Sequence, residues 1–172
     1  MYMGSNRQLF LVILLLFSFR MGFSQTGTYF MTHYNPAEHN FDNSNYEYYQ
    51  DNRGVVHIAN RQGVLHYDGN SWWLTPIPFS VYCLAEYDGK IYVGGREGFG
   101  YIIESDSTSR YFAIDSVHRE IQKVVINKNQ GYYMSESALY TFNRANPDVI
   151  NIIDTNGLEL LDLTNIDDHI YL

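Results

Sequence analysis

From residue 46 onward, apolar and polar side chains alternate in brief runs, interrupted every few positions by Gly, Asn, Asp or Ser. A period of two sends successive side chains to opposite faces of an extended backbone, so each run predicts a short strand. The first set is the easiest to read. Residues 46–50 form a strand that reaches the turn Asp51-Asn52-Arg53-Gly54, where Gly54 supplies the positive φ of a tight hairpin. Residues 55–59 are a second strand, Asn60-Arg61-Gln62-Gly63 a second turn, and 64–67 a third strand. Asp68-Gly69-Asn70 then turns the chain into a fourth, 71–75. Pro76 and Pro78 are expected to break the pairing there, because neither has an N–H to give to a ladder.

The same shape recurs. Laid over residues 91–102 with an offset of 35, the first set puts His57 on Tyr92, Ile58 on Val93, Asn60 on Gly95 and Gly63 on Gly98. Tyr133 follows Tyr92 by 41 residues, and Tyr171 follows by another 38. Each copy is preceded by an alternating strand, at 46–49, 82–87, 121–126 and 161–163. Four short antiparallel strands at a period near 38 make one blade of a β-propeller, whose apolar faces are covered by the blades on either side. The expected fold is therefore all-β, with four-stranded antiparallel blades at about 46–78, 81–115 and 119–154. A further blade begins at 158–172, and residues 25–45 lead into the first. Propellers close with about four to eight blades. Three and a fraction are expected to be the N-terminal part of a longer protein.

The chain opens differently. Arg7 precedes an apolar stretch over 9–19, and Gly22-Phe23-Ser24 sets small residues where a signal peptidase reads, so residues 1–24 are expected to be a secretory signal cleaved between Ser24 and Gln25. Eleven helical residues span only about 16 Å, too little for a bilayer core of about 30 Å. No later stretch is apolar enough to span one. The mature segment is thus expected to be exported, without a membrane span. Loss of Arg7 and Arg20 takes the formal net charge from −8 to −10. That acidity, with no Lys/Arg cluster to offset it, argues against nucleic acid as a partner. Cys83, the single cysteine, excludes an internal disulfide and reads as a small buried hydrophobe.

The run NSNYEYYQDNRGVVHIANRQGVLHYDGNSW, followed by IYVGGREGFGYI, resembles the two-component regulator propeller repeats of exported sensors in Bacteroidetes-type bacteria. The matching positions are Gln50, Asp51, Gly54, Ala59, Asn60, Gly63, Tyr67, Asp68, Gly69 and Trp72. The resemblance is good over 29–102 and weak from 119 onward, where Asn127 to Gln130 replace the Asp-Gly turn. It implies a triple-tyrosine domain, a transmembrane helix and a kinase or helix-turn-helix module downstream, none of them within this chain. It also implies a sensor, often one that responds to glycans.

Candidate chemistry is sparse. Trp72 matches the blade-core position of the resembling repeats, so Trp73, on the other side of its sheet, is the candidate for stacking on a sugar ring. Arg61 and Arg96 occupy equivalent loops of successive blades, which converge at one end of a propeller, and could meet an acidic or hydroxylated ligand. Asp51, Gly54, Gly63, Tyr67, Asp68, Gly69 and Gly98 read as turn and blade-core residues. The histidines show no standard metal-ligand spacing, and His57 and His66 sit where the next repeat has Tyr92 and Tyr101, so they read as blade residues. Asp42-Asn43-Ser44-Asn45 lacks the Gly and bidentate Glu of a calcium loop. Neither a metal nor a cofactor is expected, and no carboxylate pair stands out for glycoside chemistry. The expectation is a non-catalytic, periplasmic ligand-sensing region of a signalling receptor or transcriptional regulator. An exported enzyme acting on polysaccharide and an inactive interaction scaffold are the alternatives.

Overall fold

A computed structural model describes residues 40–105, 108–115 and 119–171, which fall in one compact unit, 35–172. The signal segment and its cleavage site at Ser24 and Gln25 lie outside the described residues.

Among the described residues every element is a strand. The first sheet is a four-stranded meander of β1 (Asn45–Gln50), β2 (Val56–Asn60), β3 (Gly63–Tyr67) and β4 (Trp72–Pro76). The second holds β5 (Val81–Tyr87), β6 (Lys90–Gly95), β7 (Gly98–Ser105) and β8 (Thr108–Asp115). The third holds β9 (Ile121–Ile126), β10 (Gln130–Ser135), β11 (Ala138–Asn143) and β12 (Asn146–Asp154), and a hairpin of β13 (Thr164–Ile166) and β14 (His169–Tyr171) follows. All pairs are antiparallel. The protein is all-β, built of propeller blades. Among the described residues no helix is long and apolar enough to cross a membrane.

Two local expectations need correction. Pro76 does not break the pairing: it ends β4 opposite Gly63, and the Ile77 N–H continues inward to the Gln62 carbonyl at 3.2 Å. β4 is an edge strand, so the missing N–H has no partner strand to disappoint. Residues 161–163 are not a strand. Leu163 is instead a fully buried plug against Tyr132, Met134 and Leu139, and pairing starts only at Thr164. The irregular third-repeat turn is closed by a side chain, because Asn127 Oδ1 accepts the N–H groups of Asn129 and Gln130, both at 2.9 Å.

Alternation decides how the sheets stack. Ile91 and Val93 face the first sheet with Val81, Leu84 and Ile102, and pack on Ala59, Val64 and Ile77. Tyr92, one position out of phase, faces the third sheet with Cys83, Phe99 and Tyr101 and meets Tyr133, Tyr140 and Phe142. At this second seam Gly94 admits the neighbouring blade. A Cβ there would lie 2.4 Å from Ile121 Cγ2. Tyr133 is fully buried and donates its hydroxyl to the Gly100 carbonyl at 2.6 Å, so its polar tip is satisfied across the seam.

Candidate functional site

The first seam is apolar at one end and polar at the other. In the β2–β3–β4 ladder His57 lies opposite His66, and His66 opposite Trp73. All three follow the face turned to the second sheet. Glu104 and Ser109, opposite one another in β7 and β8, face them from the second sheet. Trp73, Arg53, Val55, Leu74, Glu104, Ser105, Thr108 and Ser109 line a cleft of about 710 Å³ above this polar patch.

Asp51 organises one side. Its Oδ1 accepts the backbone N–H groups of Arg53 and Val55, both at 2.9 Å, which is the turn chemistry expected of it. Gly54, at φ +86°, completes that turn in a conformation L side chains avoid. Asp51 Oδ2 receives Arg53 Nε at 2.7 Å and faces His57 Nε2 at 3.3 Å. Burial alone would raise its pKa, but the hydrogen bonds from Arg53, Val55 and His57 outweigh that and hold the carboxyl below its usual range. Arg53 also pairs across the seam with Glu104 Oε2.

The two histidines are 0% exposed, and their Nδ1 atoms are 2.7 Å apart. Glu104 Oε1 lies 3.3 Å from His66 Nδ1 and 4.0 Å from His57 Nδ1. His66 Nε2 contacts Thr75 Oγ1 at 2.8 Å, and Thr75 in turn meets Ser109. Burial, with His57 and Arg53 nearby, pushes the His66 pKa down to about 3, so its ring is neutral. One arrangement of protons satisfies the whole chain. An ionised Asp51 only accepts, so His57 donates from Nε2 and offers a lone pair at Nδ1. His66 donates to it from Nδ1 and accepts the Thr75 hydroxyl proton at Nε2. Trp73 stacks on the His66 ring with centroids 5.1 Å apart and planes 8° apart.

The cross-strand pair is peculiar to this blade. The corresponding opposed pairs are Tyr92 with Tyr101 in the second sheet and Tyr133 with Tyr140 in the third. Two tyrosines fill the position twice, and two histidines once.

The sequence-derived ligand residues do not gather. Trp73 lies in the cleft, but Arg61 is in the β2–β3 turn, three strand positions or about 10 Å from it along β3. Arg61 is mostly exposed and pairs with Asp42 at 3.7 Å. Arg96 occupies the equivalent β6–β7 turn, its N–H bonded to the Ser80 carbonyl at 3.0 Å. The two arginines share one end of the blades, and Trp73 looks toward the other. Trp72 and Trp73 do take opposite faces, but the face turned to the second sheet belongs to Trp73. Trp72 stacks on its ladder partner Tyr67, centroids 4.6 Å apart, on the opposite face. Register sets both orientations, since each tryptophan follows the face of the residue it pairs with. Tyr67 donates to the Gly69 carbonyl at 2.8 Å, and Asp68 Oδ1 accepts from Asn70 and Ser71, which closes the β3–β4 turn. Gly63 opposite Asn60 and Gly98 opposite Gly95 close the β2–β3 and β6–β7 turns. Cys83 is buried, and burial pushes its thiol well above the usual range.

Sequence reasoning missed Arg53 and Glu104. Glu104 arrives from the neighbouring blade, a juxtaposition no local spacing announces. The available signal was that His57 and His66 both replace tyrosines at facing positions of one repeat.

No family model matches the chain, and no curated protein matches it either. Among solved structures it is similar to the extracellular domain of a one-component system, BT4673, from B. thetaiotaomicron. The identity is 19% and the TM-score 0.57, over 74% of this chain and 19% of that one. This chain therefore spans about a fifth of the length of the structure it matches, and what the two share is the fold.

Proposed function

We propose that this chain is the exported, ligand-sensing propeller region of a membrane-anchored signalling receptor or transcriptional regulator, and that it binds its ligand without turning it over. The observation that carries this reading is the cleft at the first seam, which draws its walls from two blades. A ligand seated there touches both sheets and biases their packing, and a bias between packed elements is what a receptor can transmit. Trp73 offers an aromatic face, while Ser105, Thr108, Ser109, Arg53 and Glu104 offer hydrogen bonds around it. That lining suits a saccharide or a comparably hydroxyl-rich small molecule. The fold likeness to an extracellular domain of a one-component system and the secretory pattern of residues 1–24 support an exported location. Two features speak for binding rather than hydrolysis. Both carboxylates of the site are paired with Arg53, and Asp51 is further held ionised, so neither is a free general acid.

The test is calorimetric titration of the purified chain with a panel of neutral and acidic oligosaccharides. At least one should bind saturably, and Trp73→Ala should weaken it about tenfold or more, while Arg61→Ala and Arg96→Ala leave it unchanged. Binding that survives Trp73→Ala but is lost with either arginine would move the site to the other end of the blades. Release of shortened sugars during the titration would replace the sensor by an enzyme.

A further inference from the structure

We propose that His57, His66 and Glu104 form a site for one divalent transition-metal ion of the zinc type, its fourth coordination position left to a water or hydroxide. The inference goes beyond the sensing reading and rests on the geometry of these side chains alone. Three donor atoms converge: His57 Nδ1, His66 Nδ1 and Glu104 Oε1, separated by 2.7, 3.3 and 4.0 Å. In a tetrahedral shell with bonds of about 2.0–2.1 Å, donors lie roughly 3.3 Å apart. The three separations bracket that value, and shifts of well under an ångström would equalise them.

The far side of every ligand is already held. His57 Nε2 faces Asp51 Oδ2, His66 Nε2 faces Thr75 Oγ1, and Glu104 Oε2 is taken by Arg53. Such outer partners orient a ligand ring and fix which nitrogen is free for the metal. Asp51 also leaves His57 Nδ1 with a lone pair, as a ligand needs. The local charge suits a dication, since Asp51 and Glu104 carry two negative charges against the single positive charge of Arg53. Two imidazoles with one carboxylate select a borderline ion over magnesium or calcium, which take oxygen shells.

Packing gives no reason for histidines here. Tyr92 with Tyr101 and Tyr133 with Tyr140 fill the same paired positions of the next two blades. Occupancy needs only one proton to move. Without metal, His66 carries its proton at Nδ1. With metal, that proton sits at Nε2 and is donated to Thr75 Oγ1, whose own hydroxyl turns to Ser109.

Cobalt is the probe. The purified chain, stripped with a chelator, is titrated with Co²⁺ while visible absorption and tryptophan fluorescence are followed. The site predicts saturation at one equivalent, the intense bands of tetrahedral cobalt, and quenching through Trp73, whose ring stacks on His66. Zn²⁺ should displace the cobalt one for one, and Mg²⁺ should not. His66→Gln and Glu104→Gln should abolish the tetrahedral spectrum. Asp51→Asn should cost about 10–100-fold in affinity through the orientation of His57. His169→Gln, at an exposed histidine, should change nothing. If a ligand variant fails to fold, the unmodified chain still decides. Absence of one-equivalent uptake, or a weak octahedral spectrum, overturns the proposal.

Discussion

At the scale of single residues, Asp51 shows how one side chain can serve a turn and a site together. One carboxylate oxygen closes the β1–β2 hairpin, and the other faces Arg53 and His57. Asp51→Ala strips acceptors from two backbone N–H groups and from a fully buried imidazole, so it should destabilise the chain by about 2–3 kcal/mol. Asp51→Asn keeps one acceptor oxygen and should cost less. Urea unfolding of the three proteins checks the order, and equal midpoints for Ala and the parent would contradict it. The double duty also explains what could be read in advance. Asp51 beside Gly54 announces a turn from local spacing alone, whereas its hold on His57 depends on which face of β2 the histidine takes. The tryptophans teach the same lesson. Alternation separates Trp72 from Trp73, but only the ladder partners, Tyr67 and His66, decide which of them meets the second blade.

At the scale of strands and seams, the blades were legible because their repeat is written in alternation and in Gly-bearing turns, both local properties. What escaped was a matter of contact between sheets: Leu163 as a plug instead of a strand residue, and Glu104 delivered to the histidines from the next blade. Close approach of the sheets gives a prediction at this scale. A methyl group at Gly94 would strike the buried Ile121 side chain and crowd Cys83. Gly94→Ala should therefore cost about 1–3 kcal/mol as overpacking. Chemical denaturation measures it, and an unchanged midpoint would mean that the second seam is looser than its geometry requires. Cys83, sealed in that seam, should resist thiol alkylation in the parent chain and become labelled in the Gly94→Ala protein.

For the whole molecule, stability depends on faces shared between sheets, and those faces hold phenols. Burial pushes Tyr92 and Tyr111 up to about 12 and Tyr133 well above its ordinary value. The sign follows from linkage. The folded state keeps these phenols neutral, while the unfolded chain ionises them near 10, so their stabilisation is full below about pH 10 and is lost as pH rises toward 12. A tyrosinate absorbance titration should show a late group, Tyr92, Tyr111 and Tyr133, ionising together with loss of the β-sheet spectrum. A single transition near pH 10 with the fold retained would contradict the stacked-face account.

The functional claim itself is that a ligand bridges the first two blades at the polar end of their seam. Hydrogen exchange with and without the tightest-binding oligosaccharide of the panel addresses that claim most directly. The account predicts slowed exchange concentrated in residues 51–57, 66–75, 102–105 and 108–110, on both sides of the seam, with the β2–β3 and β6–β7 turns around Arg61 and Arg96 unaffected. Protection confined to those two turns, or to one sheet alone, would contradict it.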